Sequence, residues 1–473
     1  MNAEFISELG RIVGDRNVLQ DPADCWPYGY DNSRRHHPPE AVAFPSAHDQ
    51  VRDVLRLCNR TGVCIVPRGR GTGTTGATVP TRGGLVLSFE RMNRILRVAP
   101  EDRLMVVEPG ATNQAVQEAA AAAGFFWPPD PTSAAYCTVG GNLAYNSAGP
   151  RSVKYGTPRE NVLGLRAVTG AGAEIRTGVS TSKGVVGYDL TRLLIGSEGT
   201  LAVITEATLK LTPLAEARRT MQAVYDSIHA AARAVSRIMA QPVTPCALEF
   251  MDARAIEMIR DYSSADLPAG AGAMLMIETD GPAVAMDAAV DAIRTACSLP
   301  GLVDFKAAAG AAETAELWAT RKALSPALRK VAPKKINEDV VVPVSRIPQL
   351  IAGLERLSAE FGVTIVNFGH AGNGNIHVNL LVDPDDPRQM SQAHACLSRV
   401  FDLVLELDGT LSGEHGVGLE KRDYVGREID PVTLDLMRRV KREFDPRGIL
   451  NPDKMFPLLD KRPETSPEGP QGR

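Results

Sequence analysis

His370 and His377 are separated by six residues in the run His370-Ala371-Gly372-Asn373-Gly374-Asn375-Ile376-His377. A seven-residue step would put both rings on one helical face. Two glycines and two asparagines oppose that helix, and apolar strand patterns flank the run, so a strand–loop–strand return is expected to bring the histidines together. Two imidazoles at one loop are a natural pair of nitrogen ligands. Gly413-Glu414-His415-Gly416 is the third element. Glu414 and His415 are neighbours whose side chains point in different directions, so one can complete a metal site while the other serves as a base. Any one of these histidines alone would read as a satisfied buried side chain; the combination favours chemistry. His36, His37, His48, His229 and His394 read as structural or solvated.

A second chemical signal is the glycine run. Gly71-Thr72-Gly73-Thr74-Thr75-Gly76 fits G-x-G-x-x-G and follows a strand. The dinucleotide fingerprint needs that loop to open a helix, whose N-terminus binds the pyrophosphate. Here Pro80, Gly83 and Gly84 follow, then another strand, so the Rossmann reading is rejected. Consecutive glycines still turn backbone N–H groups toward one anion, Thr72, Thr74 and Thr75 add hydroxyls, and Arg68 and Arg70 add charge. The expectation is a phosphate-binding loop between two strands.

The elements around these residues follow from pattern. Val51, Val54, Leu55 and Cys58 share a helical face, and Gly62 ends that helix. Short strands are expected at 64–67, 85–89 and over LMVV, with an alanine-rich helix over NQAVQEAAAAAG. Residues 162–178 read as two strands joined by a glycine turn, and DLTRLLIGSEGTLAVITEATLKLTP reads as a helical turn, a glycine loop and two strands. Beyond Pro213, helices are expected over 217–239 and 282–297, with one over ELWATRKALSPALRKV interrupted near Pro326. Strands are expected at TPCALEFMD, AMLMIETDG, INEDVVVPV and on both sides of the histidine loop. His377, Asn379 and Leu381 should face one way, and Ile376, Val378 and Leu380 the other.

Composition narrows the class. The 473 residues hold 52 Lys+Arg against 56 Asp+Glu, so no basic balance points to nucleic acid. No apolar run approaches the ~20 residues of a membrane helix, and the first residues lack the pattern of a signal peptide. Seven scattered cysteines form no C-x-x-C pair, which leaves no iron–sulfur or zinc-cysteine motif and argues against a disulfide framework. A cytoplasmic protein, or one peripheral at the inner membrane face, is expected. The 42 glycines fall in clusters.

Three of those clusters carry a resemblance. PRGxGTGxxG (67–76), DPxS followed by xxGGNxxxNxxG (130–149), Lys154–Gly156, Gly187–Leu190 and IGSEGTL (195–201), in this order over about 40–215, resemble the FAD-binding domain of the vanillyl-alcohol oxidase / p-cresol methylhydroxylase (PCMH) type. HxGxGNxH, SGEHG and FDPRGILNPDKMF (444–456) resemble the FAD-linked oxidase C-terminal domain found in D-lactate dehydrogenases, the glycolate oxidase FAD subunit and D-2-hydroxyglutarate dehydrogenases. The implied fold class is α+β, with a PCMH-type FAD-binding domain at 1–213, a substrate and metal domain at 214–458, and a disordered tail at 459–473.

The resemblance implies non-covalent FAD, since no histidine lies between His48 and His229. Arg68, Gly69, Arg70, Gly71, Thr72, Gly73, Thr75, Gly76, Pro131 and Ser133 would carry its pyrophosphate region. Gly140, Gly141, Asn142, Asn146, Gly149, Glu198, Gly199 and Ile204 would line the rest, and Asn451 would approach FAD. It makes His370, His377 and Glu414 ligands of a divalent metal (zinc, manganese or iron) and His415 the base. Arg321, Ser325, Lys335 and Asn379 would meet the substrate, Lys335 in a register open by a residue. Relatives often carry Asp where this chain has Asn373.

The expected reaction is oxidation of an (R)-2-hydroxy acid to the 2-oxo acid. D-lactate stands first, with D-2-hydroxyglutarate and glycolate behind it. Electrons would pass to a separate acceptor: a quinone, a cytochrome, an electron-transfer flavoprotein or an iron–sulfur subunit. A homodimer is compatible. Two other readings compete: the same fold with non-dehydrogenase chemistry, such as ether-lipid synthesis, and a metal-dependent hydrolase.

Overall fold

The computed structural model describes the backbone of residues 1–262 and 268–458 and, within them, the side chains of all but 261–262, 320–323, 325–326, 329 and 331. The tail expected at 459–473 lies outside the described residues.

The first half builds two main sheets and a two-stranded pairing of Phe125–Phe126 with Thr212–Pro213. Strands β1 (Val18–Leu19), β2 (Ala41–Ala43), β3 (Ile65–Arg68) and β4 (Leu85–Ser88) pair in the order β1-β2-β4-β3, with β2 and β3 both parallel to β4. The helix His48–Thr61 makes the crossover from β2 to β3, and Val51, Val54, Leu55 and Cys58 are buried on it as patterned. The glycine run joins β3 to β4 with no helix between, as expected from the proline and glycines after it. Strands β5 (Ile95–Ala99), β6 (Leu104–Val107), β7 (Val162–Thr169), β8 (Glu174–Gly178) and β9 (Ala202–Lys210) form an antiparallel sheet ordered β5-β6-β9-β7-β8. β9 runs unbroken for nine residues, and only the two-residue strand Thr212–Pro213 follows it.

The second half builds one seven-stranded antiparallel sheet. It comprises β10 (Ala217–Tyr225), β11 (Ala247–Asp252), β12 (Ala273–Gly281), β13 (Leu302–Ala307), β14 (Lys334–Val341), β15 (Thr364–His370) and β16 (Asn375–Val382), in the order β13-β10-β12-β11-β15-β16-β14. One face carries the main core: Ile376, Val378 and Leu380 of β16 pack with Val235, Leu350 and Phe401 from helices over Ile228–Ala240, Ile347–Phe361 and Pro387–Glu406. On the other face lies a 21-residue helix, Ala311–Val331.

Two expectations are corrected. Residues 217–225 are a strand, and the helix begins only at Ile228, where the Ser227 side chain accepts from Ala230 N–H. Arg, Met, Gln and Ala in this stretch suit a helix, but pairing with β12 on one side and β13 on the other outweighs that preference. The helix expected to break at Pro326 runs through it to Val331, with Leu324, Ala327 and Leu328 buried on its inner face.

The chain then returns to the first half. Leu450 bridges Ile65, Ile449 and Leu450 sit in the core beside Leu55 and Leu87, and Lys441 donates to the Thr200 carbonyl at 2.6 Å. Lys154 and Tyr155 bond Asp280 across the two halves. No helix among the described residues is long and apolar enough to cross a membrane.

Candidate active site

The histidine loop is a hairpin. β15 delivers His370, a single 3₁₀ turn covers Ala371–Asn373, and β16 carries His377 back. Alternation sends His377 to the face opposite Ile376 and Val378. The two rings meet edge to face at 5.1 Å, and His377 stacks on His415 at 5.2 Å between centroids. One ligand atom each from His370, His377 and Glu414 lies within 4.8 Å of the others.

His370, Glu414 and the loop carrying His415 are held by hydrogen-bond partners, whereas the buried His377 Nδ1 has none. Across β11 and β15, Glu249 pairs directly with His370, and its buried carboxylate bonds the ring Nδ1. That leaves His370 Nε2 facing Glu414 Oε1 at 3.3 Å. The other oxygen of Glu414 accepts from Ala148 and Gly149 N–H at 3.1 and 2.8 Å. Asp339 holds the loop from beneath: its Oδ2 accepts from Gly413, Glu414 and His415 N–H at 2.9, 2.5 and 2.9 Å. The wholly buried Lys421 donates to Asp339 Oδ1 at 2.6 Å.

The electrostatics differ from one of these groups to the next. Burial opposes charge on Glu414, yet the His370 contact holds its carboxyl well below the usual range. Burial, with the other two rings adding to it, pushes His377 down to about 3, so it stays neutral. Burial would also lower His370, but Glu249 and then Glu414 raise it to about 10. A proton held among one imidazole and two carboxylates occupies a place where a divalent cation would be favoured. The donor set of two imidazoles and an ionised carboxylate fits zinc, manganese or iron.

A cavity of about 420 Å³ opens on this cluster. Its walls come from both halves: Asn32, Gly69 to Thr74, Pro131 to Ser133, Gly141, Asn142 and Tyr145 on one side, and Lys335, Asn337, Phe368, His370, His377, Glu414 and His415 on the other. A narrower apolar cleft lined by Phe89, Gly140, Ala144, Leu194, Glu198, Gly199 and Ile204 shares Gly69, Thr138, Gly141 and Tyr145 with it. Together they make one long trough, apolar at one end and polar at the other. The buried hydroxyls of Thr74 and Tyr145 and the Asn142 amide nitrogen have no partner within the protein. A flavin nucleotide, with an aromatic base, a pyrophosphate and a polar ring edge, fits such a trough.

Among the expected flavin contacts, Gly69 to Gly73, Pro131, Ser133, Gly140, Gly141, Asn142, Glu198, Gly199 and Ile204 line the trough. Arg68 lines it too, but its guanidinium bonds the Pro27 and Tyr30 carbonyls rather than reaching in. Thr75, Gly76, Asn146, Gly149 and Asn451 are not on the walls. Thr75 bonds the His415 carbonyl, and the Asn451 amide ties the Ala77 and Glu198 carbonyls together. Lys335 and Asn337 share the β14 face that carries Asp339, and both line the cavity. Asn379 is buried one strand over, directly opposite Asn337. Arg321 and Ser325 lie on the helix Ala311–Val331, and their side chains fall outside those described. Glu249, Asp339, Lys421 and Tyr145 were not anticipated. Asp339 stands in the sequence only as one of two carboxylates in the strand pattern INEDVVV, which does not reveal its burial or its partners.

Residues 214–455 match the model of the FAD linked oxidases, C-terminal domain, and residues 39–178 match an FAD binding domain. The chain belongs to the FAD-linked oxidases. This FAD-linked oxidase is 39% identical to the glycolate oxidase subunit GlcD of Bacillus subtilis, over 95% of its own length and 96% of the relative. It is 35% identical to D-2-hydroxyglutarate dehydrogenase of Xanthomonas citri (98% and 99% covered) and 31% to a probable mitochondrial D-lactate dehydrogenase of Danio rerio (97% and 93%). Its fold is that of p-cresol methylhydroxylase (TM-score 0.78, 18% identity, 95% of each chain) and of alkyldihydroxyacetonephosphate synthase (TM-score 0.73, 20% identity, 96% and 86%). The two-domain α+β flavoprotein architecture and an FAD-dependent oxidoreductase identity follow from these matches.

Proposed function

We propose that this FAD-linked oxidase oxidises an (R)-2-hydroxy acid to its 2-oxo acid, with D-lactate the first candidate and D-2-hydroxyglutarate and glycolate next. The observation that carries the reading is that one cavity is walled by the flavin-type loops on one side and by His370, His377, Glu414 and His415 on the other. The names of the three relatives given above, each a hydroxy-acid enzyme, support it. We further propose domains at 1–213 and 214–458, the last stretch folding back onto the first domain.

His370, His377 and Glu414 would hold a divalent ion, which supplies Lewis acidity that lowers the pKa of a bound hydroxyl. The trough would hold FAD, which supplies the acceptor for a hydride and its two electrons. His415 takes the hydroxyl proton at its ring as general base. Lys335, with Arg321 and Ser325 from the overlying helix, holds the substrate carboxylate, and Asn379 supports that end. Electrons leave to an acceptor outside the chain, such as a quinone, a cytochrome, an electron-transfer flavoprotein or an iron–sulfur subunit.

The likeness to alkyldihydroxyacetonephosphate synthase is one of fold and does not favour ether-lipid chemistry. Membership in a flavoprotein family sets the hydrolase reading aside. The test is anaerobic mixing of the purified yellow protein with D-lactate, D-2-hydroxyglutarate or glycolate, with and without chelator. Bleaching of the flavin band by one acid, slowed by chelator, is expected. His415→Ala should stay yellow and fail to bleach. Full-speed bleaching by that variant would overturn the base assignment, and no bleaching of the wild type by any 2-hydroxy acid would overturn the reaction class.

A further inference from the structure

Asp339 is the most heavily engaged carboxylate at the site. It is wholly buried on β14, directly opposite His377 in the β14–β16 register. One oxygen accepts three consecutive backbone N–H groups, those of Gly413, Glu414 and His415. The other oxygen takes the Lys421 ammonium at 2.6 Å and the Ser412 hydroxyl at 3.2 Å, and stands 3.5 Å from His415 Nδ1. That Nδ1 is buried and makes no hydrogen bond, so the Asp339 carboxylate is the acceptor it faces. His415 stacks on His377 and lines the cavity, so its rotation is restricted while Nδ1 faces Asp339.

We infer that Asp339 is the positioning residue of the base: it keeps the proton of neutral His415 on Nδ1, presents Nε2 to the substrate, and stabilises the imidazolium once the hydroxyl proton has moved. The inference rests on the proposed role of His415. In the step concerned, the substrate O–H bond breaks and an Nε2–H bond forms. The imidazole becomes a cation beside a carboxylate already fixed by five donors, and bound FAD would supply the acceptor for the hydride of the Cα–H bond. The pattern is that of a carboxylate–imidazole pair, in which the carboxylate selects the tautomer and is not itself protonated. The 3.5 Å separation is of the kind that tightens when substrate closes a site. Lys421 supplies the positive charge that balances the Asp339 carboxylate.

A purely structural Asp339 makes a different prediction, because its three N–H bonds also hold the backbone of the metal ligand Glu414. The experiment is Asp339→Asn in the full holoenzyme, with four readouts: flavin content, bound metal per chain, substrate KM and the rate of anaerobic flavin reduction. Asparagine keeps an oxygen for the N–H groups and loses the acceptor and charge that face Nδ1. The expected result is a fall in reduction rate of about 100-fold or more, with flavin, metal and KM within a few-fold of wild type. The ¹⁵N signature of the His415 ring should change from the Nδ1–H tautomer to a mixture. Loss of metal in proportion to rate would show that Asp339 only holds the loop, and an unchanged rate with metal retained would also overturn the inference. If the Asn variant fails to fold, the ring ¹⁵N spectrum of wild type decides: a sole Nε2–H tautomer is incompatible with the proposal. His415→Ala, run in parallel, separates this failure from failure of the base assignment, which it alone would expose by retaining activity.

Discussion

At the residue scale, the candidate site consists of the proposed ligands and the carboxylates that orient them. Glu249 binds the Nδ1 of His370, which fixes the tautomer that leaves Nε2 free for a cation. Partners of this kind commonly change metal affinity by about 10–100-fold when removed. Glu249→Gln is therefore expected to weaken metal binding by about that factor, read by competition with a chromogenic chelator, while FAD content is unchanged. Unaltered metal affinity would mean His370 is not a ligand through Nε2. The proposed ligands and base stand out in the sequence, because histidine and glutamate in a glycine-rich setting are conspicuous. Glu249 and Asp339 could not, because a carboxylate within a strand announces neither its burial nor its partner across the sheet. The roles expected of Gly149 and Asn451 show the converse. Both are placed near the site by motif, yet Gly149 N–H bonds Glu414 and the Asn451 amide bonds two backbone carbonyls.

At the element scale, the hairpin from Thr364 to Val382 sets the spacing of the two imidazoles. Its tight return depends on Gly374, at φ +74°, where a Cβ would lie 1.8 Å from the Val342 carbonyl oxygen. Gly362 has a similar φ of +63° but opens onto empty space. Alanine at either position incurs left-handed strain of about 1–2 kcal/mol, and only Gly374→Ala must also displace the β14 end. Gly374→Ala should therefore lower Tm clearly more than Gly362→Ala and should also lose metal. Equal losses in thermal melts would show that the hairpin yields. The hairpin was legible because β-rich runs flank a glycine loop. The strand over Ala217–Tyr225 was not, because its residues individually prefer a helix and its pairing partners, β12 and β13, lie some 50 to 90 residues further along the chain. Local composition describes an element well when its stabilising contacts are local, and poorly when they come from distant strands.

At the scale of the whole molecule, the loop that carries Glu414 and His415 is gripped by both domains, and a buried carboxylate does part of the gripping. Glu198, in the flavin-binding half, accepts from Val417 and Gly418 N–H at 2.5 and 2.8 Å. Burial raises its pKa to about 7 despite those two donors, from an ordinary 4.5. Between these values the folded protein holds a proton that the unfolded chain has released. This group's contribution to stability is therefore fully present below about pH 4.5 and is lost as pH rises through about 7. A shift of this size corresponds to a few kcal/mol, or several degrees of Tm in a chain of this length. Glu198→Gln, which stays neutral, removes that dependence. Its Tm relative to wild type should thus climb as the buffer moves from pH 5 to pH 8, whatever the absolute cost of losing one acceptor oxygen. A constant or falling difference across that range would mean that Glu198 is ionised in the folded protein throughout. In that case the two N–H groups, rather than burial, would govern the contact that joins the flavin half to the catalytic loop.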